Sequence, residues 1–111
     1  MAYDEELANR IRELLARESG VTEKRMFGGL AFLVGGHMSV AASGKGGLMV
    51  RVDPEHTDAL LAKPHAGPFE MHGRALDGWL RVAPEGVRTK RQLEPWVERG
   101  VAYARSLPHK R

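Results

Sequence analysis

The sequence predicts an α+β fold, a two-layer sandwich in which helices cover one antiparallel five-stranded sheet in the order αβββαββα, all within a single domain spanning residues 1–111. Three observations predict it. Residues 26–52 are short apolar, β-prone runs separated by Gly35-Gly36 and by the glycines of 44–47, the pattern of an antiparallel meander. Apolar residues recur at helical spacing near both ends of the chain. A length of 111 residues with 42% hydrophobic and 28% charged side chains suits one core, burying roughly 65% of the surface an unfolded chain exposes.

The first helix is expected over residues 4–18. Asp4 supplies a cap, and Glu5 and Glu6 place carboxylates near the positive end of the helix dipole. Leu7, Ile11, Leu14 and Leu15 form one stripe, opposite Arg10, Arg12, Glu13 and Arg17. Glu13 and Arg17 stand four apart in the favourable order, and Gly20 after Ser19 marks the stop.

Residues 24–34 read as one strand interrupted by Gly28-Gly29, either bent by a bulge or split in two. Residues 37–43 return beside it, with Met38, Val40 and Ala42 on one face and His37, Ser39 and Ala41 on the other. In the third strand, 48–52, Leu48, Val50 and Val52 point one way and Met49 and Arg51 the other. One face is expected to be core and the other largely open.

Asp53-Pro54 starts a short helix to residue 62 that buries Ala59, Leu60 and Leu61. The loop 63–68, with its two prolines, ends it. Residues 69–72 and 79–82 follow as two short strands joined through 73–78. Thr89 and Gln92 have capping-box spacing, and Leu93, Trp96, Val97, Val101 and Ala104 carry the last helix to residue 107. Pro95 should kink that helix or set a second start at Glu94, and Gly100 suggests close approach of another backbone.

The net charge of +3 is unevenly placed: residues 1–20 carry −2, residues 21–85 are neutral and residues 86–111 carry +5. The basic residues Arg88, Lys90, Arg91, Arg99, Arg105, Lys110 and Arg111 are therefore the candidate face for a protein partner or for DNA. They lack the interleaved aromatic platform of single-strand binders, and a solvated helix face with a frayed tail is the plainer reading. With no cysteine, an acidic N-terminus and no apolar run near the roughly 20 residues a bilayer requires, the expectation is a cytoplasmic protein without membrane contact.

Candidate chemistry is sparse. His37, His56, His65, His72 and His109 show none of the paired spacings of zinc sites. Glu70 and His72 share a strand face, so a metal or small-ligand site with His65, extended to Arg74, is the alternative to a non-enzymatic role. Gly44-Lys45-Gly46-Gly47 lacks Walker spacing and precedes a strand, which makes it a hairpin turn rather than a phosphate cradle. Ser39, Ser43 and Ser106 have no nucleophile-elbow context. Met26, Met38, Met49 and Met71 read as adaptable core filler or cover for a partner surface, and Trp79, Trp96 and Tyr103 as core anchors. No catalytic residue, cofactor or metal ligand is assigned. A sheet with an uncovered edge or face also predicts a homodimer.

Met26-Phe27-Gly28-Gly29, taken with Leu48-Met49-Val50-Arg51-Val52, Pro68-Phe69-Glu70-Met71, Gly78-Trp79-Leu80-Arg81-Val82 and the closing segment from Trp96-Val97 to Ala102-Tyr103-Ala104, resembles the TfoX/Sxy N-terminal domain family over roughly residues 8–107. The resemblance implies an α+β sandwich and a bacterial regulator class linked to natural competence, acting as a transcriptional co-activator without established catalytic residues. Two-domain members continue into a helix-hairpin-helix-like C-terminal domain, which this sequence, ending at Arg111, does not show. The function expected is a non-enzymatic regulatory or interaction domain.

Overall fold

The computed structural model describes residues 3–26, 28–71 and 73–108. Its elements are α1 (Glu5–Leu14), β1 (Val21–Met26), β2 (Gly29–Val34), β3 (His37–Ala42), β4 (Leu48–Arg51), α2 (Thr57–Leu61), β5 (Ala66–Met71), β6 (Arg74–Val82) and α3 (Lys90–Ser106). The strands form one antiparallel sheet in the order β1-β2-β3-β4-β6-β5. The architecture is the expected α+β sandwich, with six strands where five were expected. The extra strand arises at Gly28, whose φ of +75° turns the chain so that residues 21–26 pair with 29–34 as a hairpin, the split form of the two readings open at Gly28-Gly29.

Helix α1 begins where expected: Asp4 Oδ1 accepts from the backbone N–H groups of Glu6 at 2.9 Å and Leu7 at 3.2 Å. It ends earlier, at Leu14, so the Glu13–Arg17 spacing falls beyond its regular turns. Leu7, Ile11 and Leu15 still reach the core. At the other end of the chain, Thr89 and Gln92 form the capping box, and α3 continues as a single helix through the exposed Pro95.

The structure also corrects the alternation expected in β3. Phe32 pairs with Val40 and Leu33 with Met38, so Ser39 and Val40 together oppose one residue. Ser39 is the extra residue of a bulge, and its hydroxyl donates to the Phe32 carbonyl at 2.8 Å. Val40 and Ala42 consequently face the helices, while Met38 joins Ala41 on the opposite face. Above the bulge lies Gly100 of α3, where a Cβ would stand 2.5 Å from the Ser39 carbonyl oxygen, the close approach that the glycine suggested.

Residues 66–68, expected in a loop, begin β5, and β6 starts at Arg74. The two pair as a long hairpin with an irregularity between Pro68 and Glu70. Gly78 lies within it, donating to Thr57 Oγ1 at 2.7 Å and accepting from the Val52 N–H at 2.8 Å. These bonds hold α2 against the sheet. Helix α2, preceded by a 3-10 turn at Pro54–His56, buries Thr57 and Leu60 but leaves Ala59 exposed and Leu61 half-buried.

All three helices pack on one face over Phe32, Val40, Leu48, Val50 and Leu80. On the other face Ala31, Met38, Ala41 and Met49 are buried by neighbouring strand residues, with Met26, Leu33, Phe69 and Trp79 half-exposed around them. No helix among the described residues is long and apolar enough to cross a membrane.

Candidate functional site

The described basic residues of the C-terminal segment, Arg88, Lys90, Arg91, Arg99 and Arg105, do not gather on one surface. Arg88, Lys90 and Arg91 are exposed at the start of α3, where the Arg88 carbonyl accepts from Arg10 Nη1 at 2.8 Å and its N–H donates to Gln92 at 3.1 Å. Arg105 lies near the far end of α3, roughly 22 Å of helix from Lys90 at the standard rise, beside the segment that follows α1. It donates to Glu18 Oε1 from Nε at 3.1 Å and to the Ser19 carbonyl from Nη2 at 3.2 Å. Arg99 projects to the opposite flank of α3, with its guanidinium carbon 4.8 Å from the centroid of the Trp96 ring. Lys110 and Arg111, together with His109, lie outside the described residues.

Arg99 borders a groove of about 520 Å³ between α2 and α3. Val52 from the end of β4, Ala59 and Leu60 from α2 and Ala102 from α3 give it an apolar lining. Arg99, Tyr103, Glu55 and His56 add polar groups. The chain makes this groove because Asp53 and Pro54 turn it out of β4: Asp53 Oδ1 accepts from the Glu55 N–H at 2.9 Å, and the proline occupies the first helical position. Two aromatic rings share one cation beside it, Arg51 standing 5.3 Å from the Trp79 centroid and 5.4 Å from that of Tyr103.

The second group of expected residues is divided among different surroundings. Glu70 lines a cleft of about 370 Å³ on the helix-free face of the sheet, together with Met26, Met49 and Phe69. His65 lines a neighbouring cleft of about 470 Å³. Arg74 is exposed and borders neither, and His72 lies outside the described residues. His65 has φ +67° and its carbonyl accepts from the Ala83 N–H at 2.9 Å, so its backbone fixes the approach of β6 to the turn after it. Among the described residues no group of three histidine, cysteine, aspartate or glutamate side chains is spaced to hold a metal ion.

Lys45 and Arg81 border both of these clefts. Sequence spacing could not join them, because they meet through the pairing of β4 with β6, which sets Arg81 opposite Met49, and through the turn that precedes β4. That turn is the hairpin connection expected of Gly44-Lys45-Gly46-Gly47: the Ser43 N–H donates to the Gly47 carbonyl at 3.0 Å, and Gly46 and Gly47 have φ of +92° and +78°. Of the three serines weighed as nucleophiles, Ser39 bonds to the Phe32 carbonyl, Ser43 Oγ accepts from the Lys45 N–H at 3.1 Å and Ser106 donates to the Tyr103 carbonyl at 2.6 Å. Each is occupied with local backbone.

No curated protein and no solved structure matches the chain. A family model does, that of the TfoX N-terminal domain, over residues 13–104. The match takes in every strand, helix α2 and all of α3 but its last two residues, and so the chain belongs to the TfoX N-terminal domain family.

Proposed function

We propose that the protein is a regulatory interaction domain that docks a segment of a protein partner in the groove between α2 and α3. Membership of the TfoX N-terminal domain family supports a regulatory, competence-related setting. The observation that carries the docking reading is the groove itself, an apolar lining with a polar rim, the composition of a recognition surface. Its occupant is a short amphipathic segment that buries apolar side chains on Leu60 and Ala102 and sets a carboxylate against Arg99. Among the described residues Arg99 stacks on Trp96 and forms no ion pair, which leaves its donors for an incoming acid.

Direct DNA binding is the less supported form of the same role, because Arg105 is compensated by Glu18 and the remaining described cations of the segment are spread over one end and one flank of α3. A photocrosslinking residue at the exposed Ala102 tests the docking reading in cells of the source organism. The expected result is a discrete protein adduct that disappears when Arg99→Glu is added. The reading is overturned if Arg99→Glu leaves the adduct intact, or if fluorescence anisotropy at about 50 mM salt shows duplex binding that weakens steeply with salt.

A further inference from the structure

We propose that the cleft between the 43–47 turn and the β5–β6 hairpin binds a small amphipathic anion, a carboxylate or phosphate carried on a short apolar body. The cleft lies on the helix-free face of the sheet, away from the α2–α3 groove, and the proposal stands whether or not that groove docks a partner.

The backbone builds the anion end. Gly47 lies so close to the Val82 carbonyl that a Cβ has no room there, and this contact draws the 43–47 turn onto β6. Lys45 is thereby carried to the strand that bears Arg81, and both side chains border the cleft. Arg81 is half-buried, as are Arg10, Arg51 and Arg99. Those three are engaged: Arg10 donates to the Val87 and Arg88 carbonyls, and Arg51 and Arg99 lie over aromatic rings. Among the described residues Arg81 has no carboxylate, carbonyl or ring partner. The Arg81 donors reach the cleft without a protein partner, and an oxyanion held between them and Lys45 would supply charge-assisted hydrogen bonds.

The strands build the apolar end. Met26, Met49 and Phe69 line the same cleft, and thioether side chains adapt to ligands of varied shape. The volume of about 370 Å³ is that of a small-molecule site. Glu70 stands on the same lining and disfavours a second acidic group on the ligand, so the site suits an anion with a single acidic head.

Titration of the full-length, isotope-labelled protein with 4-phenylbutyrate, hexyl phosphate and the uncharged 4-phenylbutanol tests this by backbone amide shifts. The two anions should give saturable shifts at residues 43–47, Phe69, Glu70 and Arg81, and whichever binds more tightly identifies the oxyanion. The alcohol should bind about tenfold more weakly. Arg81→Met should weaken anion binding at least about tenfold and Glu70→Gln should strengthen it. Lys45→Met, in an exposed turn, repeats the loss without touching the sheet. Equal binding of the alcohol, shifts confined to residues 52–60 and 99–106, or no saturation by either anion up to about 10 mM would each overturn the proposal.

Discussion

Glu23 stands on the outermost strand, its two carboxylate oxygens accepting from Arg12 at 2.7 and 2.9 Å. These hydrogen bonds hold the Glu23 carboxyl below the ordinary glutamate range and raise the Arg12 guanidinium above its own. A carboxylate whose folded pKa is lowered contributes stability above the usual glutamate range and loses it as pH falls through the folded value. Because both side chains are more than a third exposed, the contribution is screened and stays under about 1 kcal/mol. Glu23→Gln should therefore lower the urea midpoint slightly at neutral pH, and the difference from the wild type should close below about pH 4. A gap that persists in acid would show that the pair is not its source. This contact was invisible in the sequence, where Arg12 belongs to a solvent-facing helix stripe and Glu23 to a connecting segment. Hydrogen bonds that cross between elements leave no spacing to read.

At the scale of elements, the contact between α3 and β3 decides how closely the two layers approach. A methyl group at Gly100 would meet the Ser39 carbonyl at 2.5 Å and Val40 Cγ1 at 2.9 Å. Alanine is favoured over glycine inside a helix by up to about 1 kcal/mol, and overpacking against a backbone atom costs about 1–3 kcal/mol. The second effect should win, so Gly100→Ala is expected to lower the urea midpoint at unchanged m-value. A raised midpoint would show that α3 moves away freely. The elements that were legible share one property: their signals are local. Asp4, Gly35-Gly36 and the Thr89–Gln92 box act on backbone groups within four residues, and the structure contains all three features. The choice between a bent and a split strand at Gly28, and the face taken by Met38, were not settled by local signals, because a hairpin turn and a bulge depend on which strand lies alongside.

For the whole molecule, the sheet presents two edges and one helix-free face. Edge strand β1 exposes Glu23, Lys24 and Arg25, and edge strand β5 contains Pro68, features that oppose pairing with another chain. A dimer of this protein is therefore expected to use the face around Leu33 and Trp79. Sedimentation equilibrium should show self-association weakened by Leu33→Asp and unaffected by Lys24→Glu; a mass constant at 12.3 kDa into the high micromolar range would exclude the dimer. The candidate sites belong to this scale too. The C-terminal run of cations was plain in the sequence, yet its described members lie on separate surfaces, whereas Lys45 and Arg81, thirty-six positions apart, converge. Charge in a sequence is counted along the chain, but a site collects it across strands.

The bulge in β3 sets a rule for chain length. Since Ser39 and Val40 together face Phe32, the strand is one residue longer than its pairing requires. A chain shortened by Ser39 would keep the pairings of Leu33 with Met38 and of Phe32 with Val40, and every side chain would keep its face. It would forfeit the carbonyl over which Gly100 is fitted. Deletion elsewhere in the strand would instead turn the residues on one side of the gap inside out, so length variation in β3 is confined to the position where the helix layer touches it.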